Sequence, residues 1–64
     1  MNSPRLKLVE TRKTFGFTQE ELAKKAKISR AYLANIETGK HTPSLEVAKK
    51  LSLILNETVD ELFL

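Results

Sequence analysis

The stretch Thr18–Gly39 constrains this sequence most, because it carries start and stop signals for two short helices. The first helix opens at Thr18, and Glu21 follows three residues later. That spacing predicts a capping box, in which each side chain accepts a hydrogen bond from the other residue's backbone amide. Phe17 and Leu22 lie on either side of the helix start at the spacing of a hydrophobic staple. The sequence therefore predicts a helix that begins directly after Thr18.

The second helix of this stretch follows after a very short connection. Ser29 is a favourable N-cap, and Gly39 has the position of a C-cap glycine. Only Lys27 and Ile28 lie between the end of the first helix and Ser29. Two short helices joined in this way must cross at a steep angle, so the stretch predicts a helix-turn-helix arrangement.

The composition limits the possible folds and compartments. A chain of 64 residues is expected to form one domain spanning residues 1–64, close to the lower size limit for folding without disulfides or metals. It has no cysteine, which favours a reducing cytoplasm and leaves the core to aliphatic packing. Apolar runs such as Leu53–Leu55 are too short for a membrane span, and no signal-peptide pattern is present. The net charge of +3 mildly favours nucleic acid as a partner.

Capping residues and apolar periodicity predict an all-α chain of five short helices. Residues 1–4 form a short lead-in in which Ser3 is a possible N-cap and Pro4 the first helical residue. The predicted helices run from there to about Phe15, then over Gln19–Ala26, Arg30–Thr38, Leu45–Leu55 and Val59–Phe63. The residues expected to face the core are Leu8, Val9, Phe15, Leu22, Ala23, Ala26, Ile28, Leu33, Ile36, Leu45, Ala48, Leu51, Ser52, Leu55, Val59, Leu62 and Phe63.

A set of short fragments recurs in a fixed order along nearly the whole chain. The fragments are Arg12, Gly16–Ala23, Ile28–Ser29, Tyr32–Leu33, Ile36–Gly39, Pro43–Leu45 and Val59–Phe63. In this order and spacing they resemble the Cro/repressor-like, Xre-type helix-turn-helix proteins of phages and bacteria. The resemblance implies the compact five-helix lambda-repressor-like fold. It also implies sequence-specific binding of double-stranded DNA, usually as a homodimer on a palindromic operator.

The third helix is the expected recognition helix, with its N-terminal outer residues at base edges in the major groove. Arg30 can donate two hydrogen bonds to guanine, and Asn35 can pair with adenine. Ala31 suits a thymine methyl, and Tyr32 can reach the sugar edge or a phosphate. Alternatively, Arg30 is a solvated charge at a helix start, Tyr32 a partly buried core residue and Asn35 an ordinary surface residue.

Phosphate contacts are expected from residues around the recognition helix. Gln19 stands at the N-terminus of the second helix, where free amides and the helix dipole attract an anion. Ser29 begins the recognition helix. By resemblance, Thr38, Lys40, His41 and Thr42 run beside the DNA backbone, with Lys40 the strongest candidate and His41 the weakest.

Two further groups of residues are predicted to be structural. By resemblance, Arg12 and Glu37 form a partly buried ion pair between the first helix and the end of the third. Apolar residues near the C-terminus are expected to form a homodimer interface, with imperfect core packing as the alternative. These residues are Leu53, Ile54, Val59 and Leu64.

The leading hypothesis is a homodimeric transcriptional repressor. One alternative is an antitoxin or a phage or mobile-element switch protein, whose C-terminal patch binds a toxin or an antirepressor. Another is a restriction-modification controller protein or the N-terminal part of a longer chain. An enzyme is not expected, because there is one histidine, no cysteine and no glycine-rich phosphate loop. No metal, cofactor or small-molecule ligand is predicted.

Overall fold

Hydroxyl side chains set the helix starts after residue 17. Thr18, Ser29, Ser44 and Thr58 each accept a hydrogen bond from the backbone amide three residues on, at 3.0 to 3.2 Å. These bonds satisfy amides that a helix N-terminus otherwise leaves free. At Thr18 the capping box is complete, because its amide donates to Glu21 Oε1 at 2.8 Å. The same backbone bond lowers the pKa of Glu21 below its ordinary value of 4.5.

The computed structural model describes residues 3–64, and within this range it contains five α-helices and no strand. The all-α class predicted from the sequence is confirmed. The helices are α1 (Leu6–Thr14), α2 (Gln19–Ala26), α3 (Arg30–Glu37), α4 (Leu45–Leu55) and α5 (Val59–Phe63). The bounds of α2, α4 and α5 agree with the prediction, and α3 ends one residue earlier, with Thr38 as its C-cap.

The predicted start of α1 is wrong. The helix begins at Leu6, and its N-cap is Arg5, which makes no side-chain capping bond. Ser3 and Pro4 lie outside the helix because this part of the chain bonds to the end of α3. The Arg5 amide donates to the Glu37 carbonyl at 2.8 Å. The other half of the predicted lead-in, residues 1 and 2, lies outside the described range.

The core is formed by aliphatic residues from all five helices. α2 packs against α3 and α4, α1 packs against α3 and α5, and α4 packs against α5. The core residues are Leu8, Leu22, Ala23, Ala26, Leu33, Ile36, Leu51, Leu55 and Leu62. Ile28 and Phe63 are half-buried and pack against this core, as does Phe17.

Two residues predicted to face the core do not. Phe15 is 46% exposed because α1 ends before it, and its ring stacks on that of Phe17 with centroids 6.0 Å apart. Leu45 is 63% exposed although Val47, two residues on, packs against the core, so the first residue of α4 points away from it. Val9 and Val59, also predicted to face inward, are half-buried.

Alanine substitutions at the two glycines test how closely Ser3 approaches the end of α3. Gly16 and Gly39 both have positive φ, at 77° and 83°, but only Gly39 also lacks space for a side chain. A Cβ at Gly39 would lie 2.0 Å from the Ser3 carbonyl oxygen, whereas nothing lies within 4 Å of one at Gly16. We expect Gly16→Ala to lower the free energy of unfolding by about 1–2 kcal/mol. Gly39→Ala should cost clearly more, because the Ser3 backbone must also move.

Urea unfolding of the two variants beside the unchanged chain measures this difference. Gly16→Ala is the matched control, since it introduces the same backbone strain without the steric contact. Equal losses for both variants would contradict the close approach of Ser3 to Gly39.

Candidate nucleic-acid interface

The connection between α2 and α3 is short because two residues take special positions. Lys27 is in the left-handed region, with φ of 58°, and ends α2. The Ile28 amide then donates to the Ala23 carbonyl at 2.9 Å, while its side chain packs against the core. Ser29 caps the next helix directly afterwards. The turn thereby holds α3 against α2 and leaves the outer side of α3 accessible.

The outer side of α3 carries the residues predicted to read bases. Arg30 and Ala31 are exposed, and Asn35 is half-buried. On the opposite side of α3, Leu33 and Ile36 are fully buried. The helix therefore has one side that packs on the core and another that is exposed to solvent, as predicted.

The sequence left open whether Tyr32 is a partly buried core residue or a surface residue available to DNA, and its position is intermediate between the two. Its side chain is half-buried and packs against the core cluster. Its ring also lies 6.5 Å from the ring of His41, centroid to centroid, with the planes tilted by 49°. The tyrosine thus contacts the loop after α3 and is only in part available to a ligand.

A buried ion pair joins α1 to α3. Arg12 Nε donates to Glu37 Oε2 at 2.6 Å, and Arg12 Nη2 donates to Glu37 Oε1 at 3.3 Å. Both side chains are nearly enclosed, with exposed fractions of 10% for Arg12 and 4% for Glu37. Arg12 Nη1 also donates to the Phe17 carbonyl at 2.8 Å. The guanidinium therefore bonds to α3 and to the chain just before α2.

Gln19 extends this pair to the surface, a contact that the sequence analysis missed. Gln19 Nε2 donates to Glu37 Oε1 at 2.9 Å, and Gln19 Oε1 accepts from Arg30 Nη1 at 3.3 Å. An unbroken set of hydrogen bonds thus runs from Arg12 through Glu37 and Gln19 to Arg30. It fixes the orientation of the Gln19 amide, whose nitrogen faces Glu37 and whose oxygen faces Arg30.

The predicted phosphate-binding residues occupy two places. Gln19 and Ser29 lie at the starts of α2 and α3, where the Ser29 hydroxyl accepts from the Tyr32 amide. Thr38, Lys40 and Thr42 are exposed beyond the end of α3. Thr38 Oγ1 donates to the Asn35 carbonyl at 3.2 Å. The same carbonyl accepts from the Lys40 and His41 amides at 2.9 and 3.1 Å, which folds the loop back on α3.

Arg5 makes a second set of contacts that the sequence did not predict. Arg5 Nη1 donates to the Ile36 carbonyl at 2.7 Å and to the His41 carbonyl at 3.0 Å. These acceptors lie 31 and 36 residues away in the chain. Cations near a helix C-terminus are favourable in general, but no local pattern could have paired Arg5 with this helix end.

The four predicted interface residues divide between different surfaces. Leu53 is 83% exposed and lines a groove of about 290 Å³ with Ile54 and three lysines, Lys25, Lys27 and Lys50. Leu64 is 95% exposed and lines another groove, against residues 3–7. Val59 is half-buried. The C-terminal half of the chain therefore exposes apolar side chains at two places.

Among residues 3–64, no cluster of three or more histidine, aspartate or glutamate side chains could hold a metal ion. No helix in that range combines the length and apolar character that crossing a membrane requires.

The short α2–α3 pair, with its exposed recognition helix, defines a DNA-binding domain of the helix-turn-helix class. The chain belongs to the helix-turn-helix family, whose model matches residues 8–62. Its resemblance to the Xre and Cro/C1 type is confirmed. The chain is accordingly a transcriptional regulator with a helix-turn-helix DNA-binding domain.

Individual relatives agree with this assignment. An uncharacterized HTH-type transcriptional regulator of Archaeoglobus fulgidus is 40% identical over 60 residues, covering 94% of this chain and 86% of the relative. The crystal structure of the restriction-modification controller protein C.AhdI from Aeromonas hydrophila is similar, with 35% identity and a TM-score of 0.81. The alignment covers 89% of this chain and 86% of C.AhdI. The N-terminal DNA binding domain of SinR from Bacillus subtilis has 33% identity and a TM-score of 0.82, with coverages of 89% and 84%.

The position of Arg12 predicts a loss of stability when the pair is broken. Arg12→Ala leaves the Glu37 carboxylate buried without its cation, and such a change costs about 3–5 kcal/mol. We expect this loss in urea unfolding, and a partial recovery when Glu37→Gln is added, because the neutral amide no longer needs a cation.

Lys13→Ala is the control, since it removes an exposed charge from the same helix. It should leave the free energy of unfolding nearly unchanged. An Arg12→Ala variant with unchanged unfolding but weaker DNA binding would show instead that Arg12 contacts DNA.

Proposed function

We propose that the chain is a homodimeric repressor that binds a palindromic operator with α3 in the major groove. The observation that carries this proposal is the two-sided character of α3. Leu33 and Ile36 are buried on one side, while Arg30 and Ala31 are exposed at the N-terminal end of the other. A recognition helix needs this combination, because it must be held rigidly and still present side chains to base edges.

Base contacts are assigned to Arg30, Ala31, Tyr32 and Asn35. The Arg30 guanidinium has five N–H donors, and its one bond to Gln19 leaves the others for guanine O6 and N7. That bond also limits the directions in which the side chain can point. Asn35 and Ala31 are assigned to adenine and to a thymine methyl, and the half-buried Tyr32 to the sugar edge or a phosphate.

Phosphate contacts are assigned to Gln19, Ser29, Thr38, Lys40 and Thr42. Gln19 Nε2 carries two hydrogens, of which Glu37 accepts one, so the other can be donated to a phosphate. The Ser29 hydroxyl accepts its capping bond and keeps its own hydrogen for donation. Thr38 has already donated its hydroxyl hydrogen to Asn35, so binding a phosphate requires that bond to be exchanged. Lys40 is the one positively charged residue among these five, so it is expected to pair with a phosphate.

Of the four predicted interface residues, Leu53 and Ile54 line one groove and are assigned to the homodimer interface, whereas Leu64 lines another groove and Val59 is half-buried. Leu53 is almost fully exposed, and a small domain is stabilised when a second copy covers such a side chain. In the resulting two-fold dimer, the two α3 helices would lie roughly 34 Å apart, one turn of DNA.

A restriction-modification controller is the second candidate. It is favoured by the similarity to C.AhdI, which extends over 89% of this chain at a TM-score of 0.81. Both candidates bind duplex DNA through α3, so they differ in the genes that the operator controls. The position of the recovered operator relative to restriction and modification genes would separate them.

Selection of bound sequences from random duplex DNA tests the central proposal. The unchanged chain should recover a palindrome, and Arg30→Ala should lose preference at one base pair of each half-site. Loss of a bidentate contact should weaken binding to the original site by about 1–3 kcal/mol. Lys49→Ala, which removes an exposed charge from α4, is the control and should recover the same palindrome. If the unchanged chain enriches no sequence, specific DNA binding is wrong.

Sedimentation over a concentration series tests the dimer. Leu53→Lys places a charge on the proposed interface beside three lysines, so the variant should stay monomeric where the unchanged chain is dimeric. Leu45→Lys makes the same change at the other end of α4, where Leu45 is 63% exposed, and should remain dimeric. An unchanged chain that is monomeric at every concentration, or equal effects of both variants, would contradict the assigned interface.

A further inference from the structure

The segment before α1 lies directly on the end of α3. A Cβ at Gly39 would lie 2.0 Å from the Ser3 carbonyl oxygen, so the two backbones are in contact. Two residues further on, the Arg5 amide donates to the Glu37 carbonyl at 2.8 Å. Residues 3–5 therefore cover the point at which the recognition helix gives way to the loop after it.

The Arg5 side chain bonds to both sides of that point. One nitrogen, Nη1, donates to the Ile36 carbonyl at 2.7 Å and to the His41 carbonyl at 3.0 Å. The guanidinium carbon lies 5.7 Å from the ring centroid of Phe63 in α5. Carbonyls at a helix C-terminus lack partners within the helix, and a cation there is favoured by the helix dipole. Arg5 thus joins α3, the following loop and α5.

The loop after α3 has few other anchors. The Lys40 and His41 amides both donate to one acceptor, the Asn35 carbonyl. The ring of His41 lies beside that of Tyr32, in a tilted arrangement. Neither contact involves the His41 carbonyl. That carbonyl accepts a hydrogen bond from Arg5. Removal of Arg5 would free this side of the loop while leaving the core residues in place.

We propose that Arg5 is a positioning residue for DNA binding. It acts through the loop of residues 39–42, which it holds in the place where Lys40 and Thr42 meet the DNA backbone. Its contact with Phe63 makes α5 the support against which the loop is held. This proposal rests on the assignment of Lys40 to a phosphate. It differs from a direct role for Arg5, in which the guanidinium itself would neutralise a phosphate.

Hydrogen exchange of the DNA-free protein tests the anchoring alone. Arg5→Ala should speed exchange of the Lys40 and His41 amides about tenfold, because the bridge between two carbonyls is lost. Amides within α4 should exchange as before. Lys7→Ala is the matched control, since it removes a charge from the same part of the chain without touching the loop. Unchanged exchange in Arg5→Ala would overturn the proposal whether or not the protein binds DNA.

Salt dependence of DNA binding then separates positioning from direct contact. Log affinity falls linearly with log salt, and each phosphate contact contributes about 0.9 to the magnitude of this negative slope, which is called the slope below. If Arg5 acts through the loop, Arg5→Ala and Lys40→Ala should each lower the slope by about 0.9, and the double variant by no more than either alone. A double variant lowered by about 1.8 would mean two independent phosphate contacts and would overturn the proposal.

If Arg5→Ala does not fold, the salt dependence of Arg5→Lys can still separate positioning from a direct phosphate contact. Lysine keeps the positive charge but has a shorter reach and no planar group to lie over Phe63. Positioning predicts a lowered slope for this variant, whereas a direct phosphate contact predicts the slope of the unchanged chain. If Lys40→Ala alone leaves the slope unchanged, the phosphate assignment of Lys40 has failed, and the positioning role fails with it. Hydrogen exchange would then still report whether Arg5 holds the loop.

Discussion

The buried carboxylate of Glu37 is the constraint on which the rest of the structure depends. A charge removed from water requires a counter-ion and hydrogen bonds to its oxygens, and Glu37 obtains these from Arg12 in α1 and Gln19 in α2. Three helices must therefore take one relative arrangement for the carboxylate to be satisfied. Such a pair adds little net stability, since desolvation offsets the attraction. Its effect here is to specify how the helix-turn-helix unit sits on α1.

Both the side chain and the main-chain carbonyl of Glu37 connect parts of the structure. Its side chain points to the interior network, which continues through Gln19 to Arg30 on the exposed side of α3. Its main-chain carbonyl accepts from the Arg5 amide, which brings the start of the chain onto the end of α3. Arg5 then reaches the loop and α5. The residues proposed to read bases, the loop proposed to bind phosphates and α5 are thus connected through Glu37 and Arg5.

The parts of the fold that the sequence predicted well are those encoded within a few residues. A hydroxyl N-cap and its amide partner lie three positions apart, so the starts of α2, α4 and α5 could be located from the chain alone. The start of α1 could not, because its end of the chain is held by residues more than 30 positions away. Leu45 and Phe15 followed an apolar pattern, but a helix terminus leaves the core where packing against its neighbours stops.

The same distinction applies to the candidate interface. Exposed positions at the start of α3 follow from helix periodicity, so Arg30 and Ala31 could be selected without a structure. The orientation of Gln19 could not, since an amide has a donor end and an acceptor end and only the neighbouring carboxylate decides between them. Once Glu37 accepts from Gln19 Nε2, the oxygen faces Arg30 and restrains it. The buried charge of Glu37 therefore also limits the directions in which Arg30 can point. Under the proposed base contacts, this limit would couple the stability of the domain to the bases that Arg30 reads.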